Sequence, residues 1–206
     1  MNILILCNGK PPPQSLLQEC VQWAGLFIAA DGGANVALNL GEMPDVVIGD
    51  MDSYQPIEDF KGGVIHDPDQ FSNDLEKALQ LAKKRNAEKV KVLGATGFRL
   101  DHSLKNLSVL KQFYDEFKQI IFIDEYVTIK LLPNHFKEDL QKGCAVSLFP
   151  LSGKVSGLTI RGLKYELTDS FLQNGVQDGS SNTVVSNPVI IRHQSGDLLL
   201  FINRKK

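Results

Sequence analysis

Apolar residues over the first 132 positions fall into two alternating patterns, short continuous runs and helical stripes. Continuous runs at Asn2–Cys7, Leu26–Ala30 and Val46–Ile48 predict strands covered on both faces. Lys89–Leu93, Ile120–Ile123 and Val127–Leu132 read the same way, and Val64–His66 is a shorter candidate. Between the runs, Ser15 is placed to cap a helix reaching about Ala24, and a short helical pattern leads from Asp31-Gly32-Gly33 to Leu40. The plainest helix begins at Asn73. Glu76 stands in capping-box spacing to it, and Leu75, Ala78, Leu79 and Ala82 recur along one side up to a stop at Asn86. A further helix carries Leu100, Leu104, Leu107 and Leu110 on one stripe. Strand alternating with helix predicts a mostly parallel sheet with helices on both faces.

The pattern changes after Leu132-Pro133-Asn134. Short β-type runs follow at Ala145–Phe149, Leu158–Ile160, Thr183–Val185, Val189–Arg192 and Leu198–Ile202, with turn signals at Ser152-Gly153, Asp178-Gly179 and Ser195-Gly196-Asp197. No helical stripe survives, so an all-β sandwich or partial barrel is expected. Charge divides at the same place: residues 1–132 hold 13 positive and 18 negative side chains, net −5, and the remainder is net +3. The predicted fold class is therefore α/β. A mostly parallel, Rossmann-like three-layer domain (1–132) is followed by an all-β sandwich domain (133–206).

Overall charge is −2 and the hydrophobic share 43%, which gives no electrostatic reason to expect a nucleic-acid or membrane-surface binder and excludes a disordered chain. No apolar run is long enough for a transmembrane helix. The N-terminus lacks a basic region and a long apolar core, so a cytoplasmic location is expected. Cys7, Cys20 and Cys144 form no Cys-x-x-Cys pair and are expected to be reduced and buried.

In an open parallel sheet, ligands bind beyond the carboxyl ends of the strands. Asp31 directly follows one strand, and Asp50 and Asp52 follow another. Asp74 opens the Asn73 helix, and Asp101 lies past the loop after Lys89–Leu93. Each alone can be a turn or helix cap. Together they repel unless something holds them, and a divalent cation such as Mg2+ is the simplest agent. Asp31-Gly32-Gly33-Ala34-Asn35 and Gly94-Ala95-Thr96-Gly97 each lead from strand to helix, where backbone N–H groups favour phosphate, although such turns use glycine anyway. Neither is a P-loop. Arg99, His102 and Asn106 share a helical face; Arg99 can equally form a surface ion pair with Asp101, and His102 can be a packing residue. Ser180-Ser181-Asn182 is polar enough to bind a substrate or to be a plain turn. These features reach as far as a Mg2+-dependent enzyme acting on a phosphate-bearing ligand.

Asp31-Gly32-Gly33-Ala34-Asn35, Gly49-Asp50-Met51-Asp52-Ser53, Gly94 to His102 and Ser181-Asn182, in this order, resemble the thiamin pyrophosphokinase family. Pro68-Asp69-Gln70 with Asp74, and Gly162-Leu163-Lys164-Tyr165, extend the resemblance over nearly the whole chain. It implies a homodimer of α/β catalytic and β-sandwich domains that moves the pyrophosphoryl group of ATP onto the hydroxyl of thiamin. It also implies that Asp50, Asp52 and Asp74 hold Mg2+, that Asp31, Asp74, Arg99 and Asp101 form the reaction centre, and that Gly32, Gly33, Asn35, Gln70, Thr96, Gly97, Arg99 and His102 hold the nucleotide. Ser181, Asn182 and Tyr165 would face thiamin near the dimer interface. Asp74 and Asp101 are the two candidates for accepting the thiamin proton.

Departures stand at Gln70-Phe71-Ser72-Asn73, where bacterial members often carry Lys-Asp-x-Thr, and at Phe98, where a second glycine is common. They motivate one alternative, a thiamin- or nucleotide-binding regulator without turnover. A second uses Asp50-Met51-Asp52 as the Asp-x-Asp of a nucleotide-sugar transferase.

Overall fold

The computed structural model describes residues 1–56 and 60–204. The fold is mixed α/β, with a large sheet and a second, four-stranded antiparallel one. It separates into two compact units, Met1–Glu125 and Tyr126–Lys206. The division falls before the Val127–Leu131 strand rather than after Leu132, because that strand pairs antiparallel with Leu198–Asn203.

In the first unit β1 (Asn2–Leu6), β2 (Leu26–Ala30), β3 (Val46–Gly49), β4 (Gly63–His66), β5 (Lys89–Leu93) and β6 (Gln119–Ile123) pair parallel throughout, in the order β6-β5-β1-β2-β3-β4. On one face Leu4, Leu6, Phe27, Leu93 and Ile123 pack against Leu16, Leu17 and Cys20 of α1 (Gln14–Trp23) and Ala37 of α2 (Gly33–Asn39). The alternating residues Ile3, Ile5 and Ile28 are fully buried as well, which explains why these strands read as continuous apolar runs. α3 (Asp74–Lys84) lies against β1, β2 and β3. Its start follows from the capping box: Asn73 Oδ1 accepts from Glu76 N at 2.9 Å, and Glu76 Oε2 accepts from Asn73 N at 2.9 Å.

Two helix expectations are corrected. Ser15 caps nothing: α1 starts at Gln14 with Pro13 at the cap position and no side-chain cap bond. α4 (Leu100–Gln112) buries Asn106, Val109 and Leu110, whereas Leu100 and Leu104 are exposed. Its buried stripe runs at i, i+3, i+4 from Asn106, so of the leucine stripe only Leu110 is fully buried and Leu107 is half-buried.

In the second unit all strands pair antiparallel. β7 (Val127–Leu131), β9 (Ala145–Pro150), β12 (Gly179–Thr183) and β14 (Leu198–Asn203) take the order β12-β9-β14-β7. β8 (His135–Glu138), β10 (Val155–Arg161), β11 (Leu167–Leu172) and β13 (Val189–Arg192) take the order β11-β10-β13-β8. One cluster draws on both sets: Val146, Leu148, Leu198 and Leu200 meet Leu158, Ile160, Leu172, Val189 and Ile191. No disulfide joins Cys7, Cys20 and Cys144; Cys7 and Cys20 are buried, and Cys144, against expectation, is partly exposed. Among the described residues no helix is long and apolar enough to cross a membrane.

Candidate active site

The strand order reverses between β1 and β5: from β1 the chain first builds outward through β2, β3 and β4, then returns to β5 on its other side. Parallel sheets bind ligands beside such a switch point. A cavity of about 490 Å³ opens there, lined by Cys7, Asn8 and Gly9 after β1 and by Gly94 and Ala95 after β5. Asp31, Asp52, Asp74, Gly97, Phe98, Arg99, His102 and Asn106 complete most of its wall.

Three carboxylates converge at this edge. Asp31, Asp50 and Asp74 each offer an oxygen, and the three oxygens lie within 4.8 Å of one another. Asp31 is 3% exposed and clasps the following loop, accepting from Ser53 N at 3.2 Å and Tyr54 N at 3.1 Å. Asp50 accepts from Gln70 Nε2 at 3.2 Å and from Asp52 N at 3.3 Å, and these bonds hold its carboxyl below the usual range. Asp74 moves the other way. Burial raises its carboxyl, Asp31 and Asp50 raise it further, and Lys77 opposes the rise. Hard, anionic oxygens at this spacing suit a hard divalent cation, which supplies the charge that the three acids otherwise lack. Asp52 lies outside this cluster: its carboxylate accepts from Ser53 Oγ at 2.9 Å while the residue lines the cavity.

Arg99 and Asp101 form a two-bond pair, Nε to Oδ1 at 3.2 Å and a terminal nitrogen to Oδ2 at 2.5 Å, with both side chains largely exposed. The guanidinium holds the Asp101 carboxyl below its ordinary range. Cys7, walled in and facing the Asp74 charge, has its thiol pushed up to about 12. It lines the cavity as a neutral group.

Several expected nucleotide contacts have other work in the fold. A Cβ on Gly33 would stand 2.1 Å from the Leu6 carbonyl oxygen, and one on Gly32 would meet the Asn8 side chain at 2.3 Å. This pair is glycine so that α2 can approach β1. Asn35 donates to Ser53 O at 2.8 Å and accepts from Gln55 N at 3.0 Å, so it braces the aspartate loop. Gln70 reaches Asp50, as described, and Thr96 Oγ1 donates to Asp124 Oδ2 at 3.4 Å. Gly97, Arg99 and His102 do face the cavity.

In the second unit, Asn182 is 5% exposed and both polar atoms of its amide are bonded. It accepts from Tyr165 N at 3.0 Å and Thr183 N at 2.9 Å, and donates to Tyr165 O at 2.8 Å. It is a brace that presents Tyr165, whose ring is 59% exposed. Ser181 is exposed, with its backbone in the left-handed region (φ 58°) and its N–H donated to Ser147 Oγ at 3.0 Å.

Three participants, Asn8, Gly9 and Lys77, escape the reading of motifs, whereas Asn106 is already placed on the Arg99 face by its spacing. Asn8 and Gly9 follow the central strand, and their place at its carboxyl end is the signal that finds them. Asn106 donates to Ala95 O at 2.8 Å and accepts from Asn73 Nδ2 at 2.9 Å, tying both helix starts to the cavity. Lys77, inside α3, is 2% exposed and reaches Asp74. Nothing in its spacing separates it from a surface lysine.

Comparison with known proteins follows this geometry. Residues 17–122 match the family model for the thiamin pyrophosphokinase catalytic domain, and residues 134–198 that for the thiamin pyrophosphokinase vitamin B1 binding domain. The chain is 29% identical over 212 residues to thiamin pyrophosphokinase 1 of Caenorhabditis elegans, covering 94% of this chain and 86% of the relative. The crystal structure of thiamin pyrophosphokinase from Geobacillus thermodenitrificans superimposes with a TM-score of 0.83 at 26% identity, covering 100% and 99% of the two chains. That from Candida albicans, at 22% identity, shares the fold with a TM-score of 0.86 over 98% and 88%. Both halves of the sequence, each with its own family model, place the chain in one family: it belongs to the thiamin pyrophosphokinases.

Proposed function

We propose that the chain transfers the pyrophosphoryl group of ATP to the hydroxyl of thiamin, giving thiamin diphosphate and AMP. The observation that carries this reading is the convergence of Asp31, Asp50 and Asp74 within 4.8 Å beside a cavity at the sheet's switch point. Asp31, Asp50 and Asp74 would hold a divalent cation, Mg2+ in our reading, which when bound supplies positive charge to phosphate oxygens. Asp52 lines the cavity outside that cluster, with its carboxylate accepting from Ser53 Oγ.

Transfer of this kind depends on position and charge more than on covalent chemistry. Gly97, Arg99 and His102 are the groups proposed to receive the triphosphate, with Asp101 orienting the Arg99 guanidinium. Of the two acids considered for the thiamin proton, Asp74 is the more basic, since burial raises it while Arg99 holds Asp101 down. Asp74 and Asp101 are both candidates to accept that proton, since Asp74 also pairs with Lys77 and a cation bound to it would lower its basicity. Ser181 and Tyr165 are proposed to face thiamin, with Asn182 holding Tyr165 in place. The same reading takes the first unit as a Rossmann-like three-layer domain, the second as a β-sandwich, and the working form as a homodimer.

The test is phosphorus NMR of the protein with ATP, Mg2+ and thiamin, against a control without thiamin. Thiamin-dependent AMP and thiamin diphosphate are expected. ADP would overturn the reaction class, and thiamin binding with no turnover would make the chain a regulator.

A further inference from the structure

Lys77 is among the largest fully buried side chains of the molecule: its residue is 2% exposed and its side chain 1%. Burying an ammonium costs several kcal/mol unless it is well paired. Among the described residues its one ion pair is with Asp74 Oδ1, at 3.4 Å, long for such a bond. A single loose partner is poor compensation. The rest comes from the field around it, because the Lys77 charge also acts on Asp50 and Asp69 as well as Asp74.

Charge counting then fixes a capacity. Asp31, Asp50 and Asp74 bring three negative charges to one point, with Asp52 and Asp69 outside that cluster, and Lys77 returns one positive charge from the first turn of α3. The set is left two charges short of neutral, the charge of one divalent ion. We propose that Lys77 is a built-in cation of the acidic centre, a positioning residue that turns Asp74 toward Asp31 and Asp50 and limits the protein's own capacity to one divalent ion. Any second ion must arrive with the charge of the triphosphate. The inference rests on the metal-dependent reading above and concerns Lys77, which does not line the cavity and touches no substrate there.

The test uses the full chain without nucleotide. Mn2+ binding is followed by loss of the free-ion EPR signal, and La3+ is added in competition. Wild type is expected to take one Mn2+ per chain. Lys77→Met leaves the acids one charge more negative, so the affinity ratio of La3+ to Mn2+ should rise at least tenfold, because the added charge acts on three units of charge rather than two. Lys77→Arg keeps the charge and should hold the ratio within about threefold of wild type. An unchanged ratio in a folded Lys77→Met would make Lys77 a packing residue and overturn the proposal. Two Mn2+ ions per wild-type chain, or none, would overturn it without any variant. None of these readings needs turnover, so failure of the pyrophosphokinase reading would appear in the AMP assay and leave the ion counts standing.

Discussion

Replacing Asp50 by Asn separates a metal ligand from a structural acid, because the two roles predict opposite effects on stability. Asp50 faces Asp31 and Asp74 across at most 4.8 Å. At an effective dielectric of about 20–40, two such charges repel by roughly 2–3 kcal/mol. Removing Asp50 relieves two repulsions. Against this stand the Gln70 and Asp52 hydrogen bonds, which an amide oxygen largely keeps, and the attraction of Lys77, which it loses. The net expectation for the metal-free protein is a gain of about 1–2 kcal/mol, or a rise in Tm of roughly 2–8 °C for a chain of this size. The assay is thermal unfolding in EDTA and again in excess Mn2+. Wild type should gain stability with the ion as RT ln(1 + [L]/Kd), and Asp50→Asn should lose most of that gain while starting from a higher Tm. An Asp50→Asn protein that melts lower in EDTA and keeps the full Mn2+ response would refute the assignment of Asp50 to the cation.

Three further outcomes follow from particular contacts. Gly33→Ala places a Cβ 2.1 Å from the Leu6 carbonyl oxygen and should cost at least about 2 kcal/mol, seen as a fall in Tm of roughly 4–8 °C; Gly63→Ala, whose nearest contact is 3.8 Å, should leave Tm unchanged. Asn182→Ala removes three hydrogen bonds at a buried amide and should destabilise by about 2–3 kcal/mol in chemical denaturation, while Ser181→Ala stays within about 0.5 kcal/mol. Asp74 has its carboxyl raised, so the native state holds that proton more tightly than the unfolded chain. Below the ordinary carboxyl range both states are protonated and nothing changes. As pH climbs from there through the raised value, the native state alone is penalised. Wild type should therefore lose stability relative to Asp74→Asn across that window in EDTA, and a constant difference between the two would contradict the buried-acid reading.

The first unit was legible where burial on both faces forces uninterrupted apolar runs, as at Ile3–Leu6 and Phe27–Ala30, and where a local device announces itself, as in the Asn73–Glu76 capping box. The second unit was legible in β7, β9, β10, β13 and β14. The unanticipated β8 and β11 are the two edges of their set, and β12, another edge, lies N-terminal to its expected place at Thr183–Val185. β8 buries only Phe136, since an edge strand carries polar residues that guard its open side. The first two leucines of α4, Leu100 and Leu104, misled: their spacing reports a helix, but it cannot say which stripe is buried. At the site, the carboxyl-end rule brought out Asp31 and Asp52 alike, and the structure gathers Asp31 with Asp50 and Asp74. Both follow a strand, and only folding turns the Asp31 oxygens toward Asp50 and Asp74.

Among the described residues, six non-glycine residues have left-handed backbone; Asn86, Asp169 and Ser181 lie away from the aspartate cavity and the other three lie at it. Asp31 (φ 44°), Met51 (φ 65°) and Phe98 (φ 51°) occupy the left-handed region without being glycine, at a cost of about 1 kcal/mol or more each. Asp31 recovers that cost through two backbone N–H bonds from Ser53 and Tyr54, and those bonds fix the loop that carries Asp50. Met51 sits between Asp50 and Asp52, and its turn lets the Asp52 N–H reach back to Asp50. Phe98 has no such return: its ring is 79% exposed at the cavity wall, beside Gly97, itself held at φ 92° against Lys10. A chain selected for stability alone would place glycine at Phe98 and neutralise one of the converging acids. Both departures from the stable choice fall on the rim of one cavity, at the switch point of the sheet, where the physics of parallel strands puts the ligand.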